Sequence, residues 1–141
     1  MTISIDTNVI AALWWNNDSL NRSAAQLLNQ ARKAGELVLS APVYAELMGD
    51  PARTEGELDD FLFSTGILVD WHLEEEIWRE AGKAYQGYVA RRRKSGGSMP
   101  RRLLADFVIG AHAQVRGYSL LTFDGGHYLA AFPDLPIIPQ G

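Results

Sequence analysis

Four acidic side chains stand where chemistry is easiest to place. Ile3-Ser4-Ile5 alternates in polarity and breaks off at Asp6-Thr7-Asn8, and Ser119-Leu120-Leu121-Thr122-Phe123 breaks off at Asp124. Glu46 falls one turn beyond Pro42, and Asp106 sits among Leu103, Leu104, Ala105, Phe107, Val108 and Ile109. Carboxylates brought together offer hard oxygen donors, which suit magnesium or manganese. Such a cation lowers the pKa of an attacking water and offsets charge growing on a phosphodiester, with one ion or two. Each acid also has a blander use. Asp6 and Asp106 have the character of helix caps, Glu46 of a solvated helix residue, and Asp124 of the first residue of an Asp-Gly-Gly turn. Asp106 weighs most against these readings, because an acid in an apolar run is expected to be partly buried, and a buried acid needs a partner.

The elements that must position these acids alternate between strands and helices. Strands are expected at Ile3–Ile5, Glu36–Ser40, Ile67–Asp70, Ser119–Phe123 and Ile137–Ile138. Helices are expected at Val9–Trp15, Arg22–Ala34, Val43–Met48, the stretch after Thr54, Leu73–Arg92 and Leu103–Val115, with a short turn at Tyr128–Phe132. Thr54 and Glu57 have the spacing of a capping box, and Gly35, Gly66 and Gly117 supply stops. Strands separated by helices form a parallel sheet covered on both faces, with function at its carboxyl edge. Asp6 and Asp124 then share that edge, and Glu46 leans toward it. Asp70 ends a strand too, but is expected to cap the helix after it.

The 141 residues, 47% hydrophobic and 21% charged, suit one domain spanning residues 1–141 with a real core. Cysteine is absent and there are only three histidines, which excludes disulfides, thiolate metal sites and cysteine nucleophiles. No basic leader precedes a long apolar run and no membrane span is suggested, so a cytoplasmic protein without a membrane partner is expected. The net charge of -4 argues against broad electrostatic binding of nucleic acid. Arg91, Arg92, Arg93, Lys94, Arg101 and Arg102 nevertheless gather into a local basic stretch shortly before Asp106, a pattern whose ordinary use is a solvated helix end but which also leaves room for a local nucleic-acid-binding patch. His127, shortly after Asp124, is the histidine best placed for a secondary role.

Asp6-Thr7-Asn8, Ser40-Ala41-Pro42-Val43-Tyr44-Ala45-Glu46-Leu47, the stretch from Arg102 to Ala113, and Leu121-Thr122-Phe123-Asp124 resemble the successive acidic motifs of PIN-domain ribonucleases. The likeness is greatest to the VapC-type toxins of VapBC toxin–antitoxin modules, and it spans nearly the whole chain. The resemblance implies a three-layer α/β/α fold around a central, mainly parallel sheet of four to five strands. It further implies a magnesium- or manganese-dependent endoribonuclease. Asp6, Glu46, Asp106 and Asp124 would be the catalytic and metal-binding acids, supported by Thr7, Asn8 and Thr122. A cognate antitoxin and a homodimer come with the family, and Trp14, Trp15 and the helix near Thr54–Phe63 offer apolar surface for a partner. One departure is visible: a further acid often follows the fourth in this family, whereas Gly125-Gly126-His127 follows Asp124 here. The number of metal ions is therefore left open.

Other classes meet specific obstacles. A phosphoacceptor receiver could use Asp70, but Lys33, Lys83 and Lys94 are the only lysines and none lies near the end of a late strand. A haloacid-dehalogenase-type phosphatase wants an acid where Asn8 stands, and a dinucleotide site wants a glycine-rich turn where Asp6-Thr7-Asn8-Val9 stands. A catalytically silent binding or regulatory module with the same fold is the remaining alternative.

Overall fold

The computed structural model describes residues 1–14, 19–97, 102 and 104–139. β1 (Thr2–Ile5) passes into α1 (Thr7–Trp14) across Asp6 alone, where the sequence suggested a break over Asp6-Thr7-Asn8. α2 (Asn21–Ala34) begins where the Asn21 side chain donates to the Ala12 and Leu13 carbonyls, satisfying acceptors that the end of α1 leaves open. β2 (Glu36–Ser40) leads at once into α3 (Ala41–Leu47), whose early proline is tolerated because no helical partner is needed for its nitrogen. α4 (Glu55–Thr65) opens on Thr54, whose hydroxyl accepts from the Glu57 amide at 3.1 Å, and closes on Gly66 in the left-handed region. β3 (Ile67–Asp70), α5 (Glu75–Lys94), α6 (Leu104–Arg116), β4 (Ser119–Leu121), α7 (Gly125–Ala131) and β5 (Ile137–Ile138) complete the chain.

The five strands are all parallel, in the order β3-β2-β1-β4-β5, and helices cover both faces in a three-layer α/β/α arrangement. The chain builds outward from β1 to β3, then returns to β1's other side through β4. That reversal puts a topological switch point between β1 and β4, where parallel α/β sheets open a crevice at their carboxyl ends.

The core lies on the sheet, with Ile3, Ile5, Leu39, Leu120 and Leu121 sealed from solvent. α6 is buried continuously from Phe107 to Ala113. A helix enclosed on that many sides must use small residues at its closest contacts. At Gly110 an added Cβ would lie 2.3 Å from the Phe132 ring.

Three expectations about boundaries change. β4 stops at Leu121, because Thr122 and Phe123 turn their polar groups to Asp6 and Asn8. The final helix begins at Gly125, ahead of Tyr128. Asp70 does not cap α5, which starts at Glu75 behind Glu74. It accepts from the His72 amide and pairs with His112 and Arg116. No helix among the described residues is long and apolar enough to cross a membrane.

Candidate active site

Register alone brings the first pair of groups together. Ile5 pairs with Leu121, so Asp6 and Thr122 are the next residues out on adjacent strands, and the Asp6 amide donates to the Leu121 carbonyl at 2.9 Å. The Asp6 carboxylate is only 5% exposed. Oδ2 accepts from the Thr122 hydroxyl at 2.7 Å and Oδ1 from the Thr7 amide at 2.8 Å. Thr122 Oγ1 in turn accepts from the Asp124 amide at 2.9 Å. Asn8 ties the start of α1 to this loop, its carboxamide oxygen accepting from the Phe123 amide at 3.2 Å. Thr7, Asn8 and Thr122, expected as supporting groups, thus hold the backbone and the first acid in place.

Glu46 comes from α3, and the Thr7 hydroxyl donates to its Oε1 at 2.6 Å. Asp106 lies in the first turn of α6. Its carboxyl is raised to about 6, chiefly by burial, then by the charges of Asp6 and Glu46 and more weakly by that of Asp124, with Arg102 opposing. Burial raises Asp6 as well, against the lowering effect of its hydrogen bonds. All four acids therefore meet electrostatically at the switch point. Asp124 stands at the N-terminus of α7 but makes no side-chain cap bond. Its carboxylate instead pairs with the Arg102 guanidinium, with Arg102 Nη2 3.4 Å from Oδ1.

Does this donor set suit a divalent cation? The donors are hard oxygens, and the mutual repulsion recorded in Asp106 is what a cation relieves. Among the described residues, however, no three acidic or histidine side chains are already drawn to the spacing of a shared ion. The hydrogen bonds show why: Thr122 and the Thr7 amide occupy Asp6, the Thr7 hydroxyl occupies Glu46, and Arg102 serves as counter-ion to Asp124. The chemistry of the residues fits magnesium or manganese, with Arg102 filling part of the cation's electrostatic role.

Two groups escaped sequence reasoning. Tyr128, four residues beyond Asp124 on α7, is 1% exposed. Burial and the charges of Asp6 and Asp106 push its phenol pKa up, and its hydroxyl faces Asp6 without a hydrogen bond of good geometry. The i,i+4 spacing was the available signal, had the helix been started at Gly125. The other is His112, wholly buried, with Nε2 2.9 Å from Asp70 Oδ2. Burial pushes Asp70 up, yet hydrogen bonds from His112 and the His72 amide, with the Arg116 charge, carry it below its ordinary value.

Of the basic residues, Arg91, Arg92, Arg93 and Lys94 form the last turn of α5, while Arg101 lies outside the described residues. Arg102 is half-buried beside Asp124, its amide donating to the Tyr88 hydroxyl at 3.1 Å. Trp14 packs edge-on against Phe61 and under Arg53, and Trp15 lies outside the described residues. Trp14, Ala11, Leu47 and Pro51 line a cavity of about 490 Å³ that reaches Thr7 and Glu46.

Comparison with known proteins agrees with this architecture. The sequence profile of the PIN domain matches residues 3–133, and the chain belongs to the PIN-domain family. A search of curated protein sequences finds no match. Among solved structures, VapBC-1 from nontypeable Haemophilus influenzae is similar, with a TM-score of 0.66 and 22% identity over 97% of this chain and 96% of that one. FitAcB from Neisseria gonorrhoeae gives 0.65 and 22%, over 96% and 95%. Mycobacterium tuberculosis VapC20, described as a sarcin-ricin-loop-cleaving toxin, gives 0.60 and 19%, over 91% and 94%.

Proposed function

We propose that this chain is a magnesium- or manganese-dependent endoribonuclease of the cytoplasm and the toxin of a toxin–antitoxin pair. The observation that carries the reading is the convergence of four mutually interacting carboxylates at the switch point, recorded in the raised Asp106. Asp6, Asp106 and Asp124 would be metal ligands, with Glu46 a ligand through water or the group orienting the nucleophile. A bound cation supplies water activation and charge neutralisation at the phosphodiester. Thr122 and the Thr7 amide fix the Asp6 carboxylate, and the Thr7 hydroxyl fixes Glu46, so neither acid must be ordered when RNA arrives. Asn8 keeps the Phe123 amide, and with it the loop carrying Asp124, against α1.

VapC20 is described as a sarcin-ricin-loop-cleaving toxin, and VapBC-1 bears the name of the toxin–antitoxin modules whose toxins this sequence resembles, which supports RNA as substrate and an antitoxin as partner. The apolar cavity beside Trp14 suits an antitoxin side chain, because it opens onto Glu46 and so couples docking to the acids. A homodimer belongs to the same reading. A catalytically silent PIN-fold binding module is the second reading, favoured by the open spacing of the acids and by Gly125-Gly126-His127 after Asp124.

Mixed RNAs incubated with and without magnesium or manganese separate the two. The nuclease reading expects metal-dependent internal cleavage that falls roughly a hundredfold or more in Asp6→Ala, the several kcal/mol a metal site supplies. Undiminished cleavage by folded Asp6→Ala, or none by the wild type with either metal, would sink it.

A further inference from the structure

The fold buries one hydroxyl beside the acids that its packing does not require. The Tyr128 hydroxyl is sealed from solvent and has no hydrogen bond among the described residues. Phenylalanine would fill the same space and avoid the cost of a buried hydroxyl without an acceptor. The ring is held without the oxygen, since it lies 5.0 Å from the His127 ring and belongs to the core.

Two helices fix where that hydroxyl lies. α6 and α7 each run from the carboxyl edge of the sheet back to the start of a parallel strand, so they are parallel to one another. Phe132, which caps α7, packs against Gly110 of α6. One helical turn earlier on both helices stand Tyr128 and Asp106, so the phenol reaches the packing at the level of the acids. The electrostatics agree with that placement. After burial, the charges of Asp6 and Asp106 do most to push the phenol up. The phenol in turn joins Thr122 and the Thr7 amide in lowering Asp6 against the effect of burial.

An ionised aspartate offers about four lone-pair directions on its two oxygens. On Asp6 the Thr122 hydroxyl takes one at Oδ2 and the Thr7 amide one at Oδ1. Tyr128 faces the same carboxylate with its donor uncommitted. With the phenol as a third donor one direction remains, enough for a cation held through a single oxygen and too few for one clasped by both. That distinction separates ions. Magnesium and manganese suit a compact octahedral shell that carboxylates enter through one oxygen, whereas calcium takes about six to eight oxygens and accepts both from one carboxylate. We propose that Tyr128 is a positioning residue for Asp6, its hydroxyl donating to that carboxylate so that Asp6 binds a cation through one oxygen and the site prefers magnesium or manganese to calcium. The inference rests on the reading of Asp6 as a metal ligand, and not on RNA cleavage.

The test titrates the metal-free protein by calorimetry with magnesium, manganese and calcium salts, without RNA, in wild type, Tyr128→Phe and Tyr118→Phe. Tyr118, just ahead of β4 at the opposite edge of the sheet, loses the same single oxygen away from the acids. Tyr128→Phe is expected to weaken magnesium and manganese about 10- to 100-fold, the usual effect of removing a group that orients a ligand. Calcium binding should hold or tighten, because Asp6 gains a free oxygen direction, and Tyr118→Phe should match wild type. Equal losses for all three ions in Tyr128→Phe, or lost packing in its near-ultraviolet circular dichroism, assign the hydroxyl a structural role and overturn the proposal. A manganese affinity within about twofold of wild type also overturns it. Failure of the wild type to bind any of the three ions removes the proposal and the nuclease reading together. If the ion preference shifts while wild type cleaves no RNA in magnesium or manganese, only the nuclease reading fails.

Discussion

Asp106 records the cost of gathering like charges. Its carboxyl titrates at about 6, and burial raises Asp6 as well, whereas both groups in an unfolded chain titrate near 3.8. Between those values the folded chain holds protons that the unfolded chain has released, so stability falls as pH rises through that window. Asp70 has the opposite sign, since its lowered value withdraws stability only as pH falls further. The metal-free protein should therefore lose urea resistance from about pH 4 to about pH 6. Asp106→Asn should flatten that profile and gain on the order of 1–2 kcal/mol at neutral pH, after allowance for solvent screening. A profile that rises across this range in the wild type contradicts the proposed coupling of the acids.

At the scale of elements, α6 both delivers Asp106 and threads the core. Its close pass over Phe132 depends on the missing side chain at Gly110, since the aromatic ring has no free end to swing aside. Gly110→Ala should cost about 1–3 kcal/mol in chemical denaturation, despite the higher helix propensity of alanine. A stabilised variant would show that Phe132 yields. α4 offers the contrast of a purely local feature. Thr54→Ala should cost about 1 kcal/mol through the lost cap and leave the site's response to metal unchanged.

At the scale of the molecule, the parallel order β3-β2-β1-β4-β5 delivers acids from four separate stretches of chain to one crevice. Binding that favours the folded state adds stability by linkage, about 2.7 kcal/mol at a hundred times Kd. Magnesium or manganese near that level should raise the melting midpoint by roughly 5–10 °C in the wild type. The rise should vanish in Asp6→Asn, whose metal-free midpoint should itself be higher. An unchanged wild-type midpoint at saturating concentrations of both ions counts against a resident divalent cation.

Local signals were legible where one stretch of chain determines them. Glu36–Ser40 and Ile67–Asp70 were readable as strands to the residue, and Thr54 and Gly66 as helix ends, because polarity pattern, capping and left-handed backbone act within a few positions. The approach of Asp6 and Asp124 to one edge also followed from the alternation of strands and helices, which permits little besides a parallel sheet. Tertiary structure alone decided the partners. Nothing near Asp70 in sequence announces His112, 42 residues away, and nothing near Asp124 shows that Arg102 neutralises it. Nor does the sequence reveal that the Tyr128 hydroxyl faces Asp6. Pattern and capping depend on neighbours along the chain, whereas charge pairing and enclosure depend on distances that exist only after the sheet has closed the intervening loops.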